Sequence, residues 1–497
     1  MLAIVVDQFR YDYLERFRAS YKGGIDTLLR RGAVFTNAYY EHFPTVTAVG
    51  HSTLLSGATP AISGIIDNTW FDRTSGKNVT SVSDESVKAV GGPGPGASPH
   101  RMLVSTVCDQ LKMSQADVKT KCFGISLKDR SAILTNGRSA NGAFWFDDGN
   151  WLTSTYYMSA LPEWAAAYNA SKTAERFKGQ AWRALDAKPD SKPFVELPKE
   201  AGDRYWSALD STPWGNEVIL EFTQRAIEAE RLGQRPGETD VLAVSFSAND
   251  IYGHSVGPDD PGVRDMAIRT DEQIGRLLQT VDQKVGLANV LIVFSADHGV
   301  APTVEAQQAR HMPGGRIAPN EITKAIEDAL TARYGASPGN WVLAAGGGLF
   351  PYLDHKRIAD RKLDLAEVRR VAADAVRRVA HVARVYTPEQ LRSMSGGDMI
   401  DRRVRNGFNP TRGSDLSVVF EPFYYAGGGR GTTHQSPYSY DAHVPLIFLG
   451  PGIQPGRYDG AVTVNDAAPT LTTVLGVETP SGSVGRVLTE MLGLPRR

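Results

Sequence analysis

Five short runs of apolar, largely β-branched residues punctuate this chain: Leu2–Val6, Cys122–Leu127, Val241–Phe246, Val290–Phe294 and Val444–Leu449. None alternates apolar with polar residues, so each predicts a strand buried on both faces. Amphipathic stretches lie between them, at Tyr11–Arg31, Asn216–Glu230, Val263–Val281 and Leu365–Val379. Buried strands alternating with helices predict an α/β fold: a doubly wound, mostly parallel central sheet with helices on both faces. The chain, 1–497, reads as one catalytic domain. Two segments interrupt the alternation, at about 131–214, rich in aromatics, and at about 301–425. Both are expected to be insertions that build a cap over the active edge of the sheet.

Composition narrows the function. With 54 basic and 55 acidic side chains the net charge is −1, without the basic surplus of a nucleic-acid binder. Two Cys exclude a disulfide framework and a thiolate zinc cluster. No apolar run approaches the ~20 residues that span a bilayer. Met1 leads directly into the first strand, so a removed leader is expected to have preceded it.

In a doubly wound sheet ligands bind beyond the carboxyl ends of the strands. Asp7 follows the first run. SANDIYGH follows the third and holds Asp250 and His254; SADHG follows the fourth and holds Asp297 and His298. GTTH, ending at His434, lies just upstream of the last run. One Asp after a strand is ordinarily a turn-former or cap, and one His is ordinarily structural. Three of each at one edge would repel or desolvate badly without cations. Asp/His ligation without Cys suits Zn²⁺, with Mn²⁺ or another divalent ion as alternatives. Six ligands suffice for two metals at ~4 Å, the arrangement that clamps attacking and leaving oxygens in phosphoryl transfer.

In FPTVTAVGHSTLLSG, residues 43–57, a Pro-containing approach gives way to a helix-like run near Thr47. A hydroxyl there gains from the macrodipole and from free backbone N–H groups. Local sequence alone favours a simple N-cap for Thr47, and Thr45 competes for any role as nucleophile. In SLKDRSAIL, Lys128 and Arg130 alternate at the end of a strand and are expected to point the same way. On composition alone they are a solvated basic pair.

Taken together, these motifs resemble the alkaline phosphatase superfamily, in the branch with a Thr nucleophile. The resemblance runs from Asp7 through the last strand. TAVGH resembles the nucleophile motif of that branch, which implies Thr47 rather than Thr45. Asn68, twenty-one residues on, matches the phosphate-contacting Asn of the family. The resemblance implies that Asp250, His254 and His434 hold one zinc, and that Asp7, Thr47, Asp297 and His298 hold the other. It also implies that Lys128 and Arg130 are the Lys-x-Arg pair of the phosphate monoesterases, which the related phosphodiesterases lack. A monoester has three non-bridging oxygens and close to two negative charges, so extra cationic donors favour it over a diester.

The implied function is a zinc-dependent alkaline phosphatase that hydrolyses phosphate monoesters through a phospho-threonine intermediate, with weaker phosphodiesterase activity. A phosphodiesterase or nucleotide pyrophosphatase, and a non-catalytic metal-binding homologue, are the alternatives. TAVGH is not the Cys/Ser-x-Pro-x-Arg motif of sulfatases. Small-molecule phosphate esters are the expected partners and inorganic phosphate the product. The family resemblance implies an exported enzyme, periplasmic or secreted. In such a compartment Cys108 and Cys122 could pair, although helix-to-sheet Cα distances are often too long.

Overall fold

The computed structural model describes residues 1–114, 119–188, 190–336 and 338–493. Ten strands form the central sheet. In chain order they are β1 (Leu2–Val6), β2 (Ala33–Phe35), β3 (Ala89–Val90), β4 (Cys122–Ser126), β5 (Gly142–Asp147), β6 (Asn150–Ser154), β7 (Val241–Phe246), β8 (Ile292–Ser295), β9 (Leu446–Leu449) and β10 (Gly456–Tyr458). Their spatial order is β10-β2-β9-β8-β1-β7-β4-β5-β6-β3. The five central strands, β8 through β5, run parallel. β9 is antiparallel to both its neighbours, and β6 to both of its own, so the sheet is mixed. The antiparallel course of β9 has a consequence for the site, because the residues before it, not after it, reach the edge where β1 and β7 end.

Both faces of the sheet are covered, which is why the runs show no alternation. Along β5, Phe144 and Phe146 enter one core with Phe222, while Ala143 and Trp145 enter another with Ile133. Six helices matter to the site and its support: α1 (Thr47–Ser56), α2 (Val107–Met113), α3 (Asp129–Leu134), α4 (Pro213–Ala229), α5 (Ala248–Val256) and α6 (Pro261–Val285). α4 and α6 start the same way. Pro occupies the first helical position, and the side chain of Thr212 or Asp260 caps a free N–H. Among the described residues no helix is long and apolar enough to cross a membrane.

The segment 131–214 differs from the expected cap. It supplies β5 and β6 to the central sheet, and Trp151, Phe177, Trp182 and Tyr205 join the main core. Its aromatic richness reflects burial over the sheet edge. The segment 301–425 has a core of its own, built from residues such as Ile322, Leu330, Trp341, Val368 and Val418, with Phe43 packed into it. Cys108, in the first turn of α2, is disulfide-bonded to Cys122, the first residue of β4, with Cα atoms 6.3 Å apart. The helix starts close enough to the strand for the bridge to close.

Candidate metal centre and phosphate site

Register aligns the strand ends. β1 pairs in parallel with β7 from Leu2↔Leu242 to Val6↔Phe246, and with β8 from Leu2↔Ile292 to Val5↔Ser295. Asp7, the start of α5 and the Asp297–His298 turn therefore leave the sheet at one level. The backbone N–H of Asp7 donates to Phe246 O at 3.0 Å, extending the ladder to the site itself. α5 places Asp250 and His254 one turn apart, with His254 Nε2 3.1 Å from Asp250 Oδ1.

Six Asp and His residues converge here. Ligand atoms of Asp250, His298 and His434 all lie within 4.8 Å of one another, and those of Asp7, Asp297 and His298 do the same. His298 thus stands in both groups, and its ring stacks on that of His434 with centroids 3.6 Å apart. His254 sits at the exposed rim beside Asp250. Asp7, Asp297 and His298 are fully buried.

The protonation chemistry suits cations. His254 Nδ1 faces Thr432 O at 3.0 Å, His298 Nδ1 faces Gly299 O at 2.9 Å and His434 Nδ1 faces Thr45 O at 2.7 Å. A carbonyl only accepts, so each Nδ1 carries the proton and each Nε2 offers its lone pair. Burial lowers the pKa of His298 and, further, of His434, where the neighbouring imidazoles add to the effect. At His254 burial opposes protonation, but the Asp250 carboxylate outweighs it and raises the pKa. Burial and the Asp297 carboxylate push Asp7 well above the usual carboxylate range. Burial opposes ionisation of Asp297, but His298 and His51 outweigh it and hold its pKa down. Asp7 Oδ1 and Asp297 Oδ2 are buried without a hydrogen-bond partner. Orphaned carboxylate oxygens beside free imidazole lone pairs are a donor set for divalent metal ions.

Thr47 opens α1 as its first helical residue, after Val46 as N-cap, and its side chain makes no cap hydrogen bond. Its hydroxyl lies 3.5 Å from His298 Nε2. The competing Thr45 hydroxyl is engaged elsewhere, donating to Ser436 O at 2.9 Å. Gly50 lets α1 press onto the site, since a Cβ there would meet Asp297 O at 2.1 Å. The N–H of Ala48, next to Thr47, donates to Asn68 Oδ1 at 2.8 Å. That contact leaves the amide's NH₂ as its donor end.

Lys128 and Arg130 do not alternate on a strand. β4 ends at Ser126, Lys128 is the N-cap of α3 and Arg130 lies in its first turn. Lys128 Nζ bridges Asp7 Oδ2 at 2.5 Å and Asp250 Oδ2 at 2.6 Å. Burial opposes its charge, but the carboxylates outweigh it and raise its pKa. Arg130 meets Asp129 only loosely, at 3.8 Å, and its Nε is buried without a partner.

Two further residues brace the site, of which Gln8 escaped sequence reasoning. Gln8 has φ 60°, and from that position its N–H donates to Asp297 Oδ1 at 3.1 Å and its Nε2 to Asp250 Oδ1 at 2.6 Å. Adjacency to Asp7 was its one signal. His51, one turn below Thr47, has Nδ1 2.9 Å from Thr47 O and Nε2 2.8 Å from Ser245 Oγ.

The sheet edge with its buried Asp/His cluster and adjoining hydroxyl defines a phosphoric ester hydrolase of the alkaline phosphatase superfamily. Residues 1–443 match the type I phosphodiesterase / nucleotide pyrophosphatase family, and the chain belongs to it. The chain is 34% identical to alkaline phosphatase PhoV of Synechococcus elongatus, covering 99% of this chain and 92% of that one. It is 33% identical to alkaline phosphatase PafA of Elizabethkingia meningoseptica, covering 99% and 94%. The crystal structure of PafA superposes with a TM-score of 0.91, over 99% of this chain and 98% of that one. A PafA variant, with a Thr changed to Ser and an Asn, a Lys and an Arg changed to Ala, superposes with a TM-score of 0.92 at 33% identity, with the same coverage.

Proposed function

We propose that this protein is an alkaline phosphatase that hydrolyses phosphate monoesters at a two-metal site through Thr47, with weaker activity on diesters. The observation that carries this reading is Lys128, whose ammonium reaches Asp7 and Asp250 within the site. A cation there, with Arg130 beside it, favours a dianionic monoester over a monoanionic diester. The relatives over the full chain named alkaline phosphatases support it. So does spacing: the Thr and Asn altered in the PafA variant are 21 residues apart, as Thr47 and Asn68 are, and its Lys and Arg are two apart, as Lys128 and Arg130 are.

Asp250, His254 and His434 would hold one divalent ion, and Asp7, Thr47, Asp297 and His298 the other, with Zn²⁺ suited to this donor set. Bound there, such ions lower the pKa of an oxygen nucleophile and offset charge on the attacking and leaving oxygens. The Thr47 oxygen attacks phosphorus in line, a Thr–O–P bond forms and the bond to the alcohol oxygen breaks. Water then attacks the phospho-threonine, releasing inorganic phosphate and restoring the hydroxyl. Asn68 NH₂, Lys128 and Arg130 hold the equatorial oxygens, and the N-terminus of α1 favours their charge. The segment 301–425 caps the leaving-group side. A periplasmic or secreted location is supported by the Cys108–Cys122 disulfide, a bond that persists in oxidising compartments.

Acid quenching during turnover of a monoester, followed by peptide mass spectrometry, tests the reading. Phosphate on Thr47 is the expected result, and turnover with phosphate on another residue contradicts it.

A further inference from the structure

A cavity of about 420 Å³ opens beside the phosphate site. Asn68 and Gln435, the neighbour of His434, both line it, so it adjoins the place where the alcohol of a bound ester would lie. Much of its wall is aromatic: Phe43, Phe71, Phe350, Tyr352 and Phe408. These rings support one another, Phe43 against Phe350 with centroids at 5.3 Å and Phe71 against Tyr352 at 5.7 Å. The wall also carries one acidic side chain, Asp67, and no Lys, Arg or His.

Asp67 is the residue that gives this cavity a sign. Its Oδ1 accepts from the N–H of Asn68 at 2.7 Å. Burial raises its carboxyl to about 7, offset only in part by the N–H groups of Asn68 and Thr69. At alkaline pH it is therefore ionised, in a cavity whose lining holds no cationic side chain. A ligand cation would relieve this, and aromatic rings add quadrupole attraction for ammonium groups. An anionic leaving group would meet repulsion from Asp67; the Arg73 and Arg392 guanidinium groups lie over the Tyr352 and Phe408 rings, 5.1 and 5.7 Å from their centroids, but do not line the cavity.

We infer that this cavity is the leaving-group subsite and that it selects monoesters whose alcohol carries an ammonium group, with Asp67 and the aromatic wall as the specificity determinants. The inference rests on the monoesterase reading and adds a substrate class to it.

Phosphocholine and 3,3-dimethylbutyl phosphate have the same shape and differ by one positive charge. The metal-loaded protein is expected to show a kcat/KM about tenfold higher for phosphocholine. In Asp67→Asn that ratio falls to about one; because it is taken within one variant, a general loss of activity cancels. Phe350→Leu, read in the same way, lowers the ratio and serves if Asp67→Asn does not fold. A ratio near one in the unaltered protein, or one that survives Asp67→Asn, overturns the inference while nitrophenyl phosphate is still hydrolysed. Failure to hydrolyse nitrophenyl phosphate as well overturns the monoesterase reading, and this inference with it.

Discussion

The side-chain amide of Gln8 donates to Asp250 Oδ1 at 2.6 Å, tying the end of β1 to the helix that follows β7. The backbone N–H of the same residue holds Asp297, so one residue braces carboxylates from both groups of the cluster. Gly253 makes room for it, since a Cβ there would meet Gln8 Oε1 at 2.1 Å. Partners behind metal ligands commonly set affinity by about 10–100-fold. Gln8→Ala is therefore expected to weaken divalent metal binding by about tenfold or more, measured by competition with a chelating dye. Unchanged affinity would show that the carboxylates orient themselves.

Thr47 has no structural duty as a cap, because Val46 holds that position. Thr47→Ala is expected to lower nitrophenyl phosphate turnover by about a thousandfold or more while Tm stays close to that of the unaltered protein. Near-normal turnover in the variant would move the nucleophile elsewhere.

The Cys108–Cys122 bridge closes a loop with a sequence separation of 14. Loop entropy assigns such a bridge about 3 kcal/mol. Replacing both residues by Ala is expected to lower the denaturation midpoint accordingly, in urea at neutral pH. A midpoint that does not move would mean that packing of α2 on β4 does the holding.

Asp210 carries a stability cost that depends on pH. Its Oδ1 is buried without a partner, and burial, with Asp147 and Asp148 nearby, raises its carboxyl to about 7. The unfolded chain ionises this group at about 3.9. The unfolded state thus releases its proton first, and stability falls as pH rises between those two values, with the full penalty above the higher one. Asp210→Asn is expected to raise Tm more at pH 8 than at pH 5. An equal rise at both would exclude ionisation as the cause.

The fold was legible where burial leaves a mark in residue type. Leu2–Val6, Val241–Phe246 and the runs like them are almost wholly apolar because helices cover both faces of the sheet. The polar residues within four positions of the end of such a run then mark the edge, which is how Asp7, Asp250 and Asp297 come into view. The segment 131–214 misled because its aromatics could serve a cap or a core equally well, and the difference lies in tertiary pairing of β5 and β6. Lys128 and Arg130 misled by one structural state: alternation carries meaning on a strand, but β4 ends before them. Gln8 and Asp67 were silent because their importance comes from position, a left-handed φ in one case and an aromatic cavity in the other.

Side-by-side kcat/KM values for nitrophenyl phosphate and its methyl diester, on protein of measured metal content, test the central claim most directly. The unaltered protein is expected to favour the monoester by about a hundredfold or more, and Lys128→Ala with Arg130→Ala to lose most of that preference by slowing the monoester. A diester hydrolysed faster than the monoester, or an equal loss on both substrates in the double variant, would contradict the account.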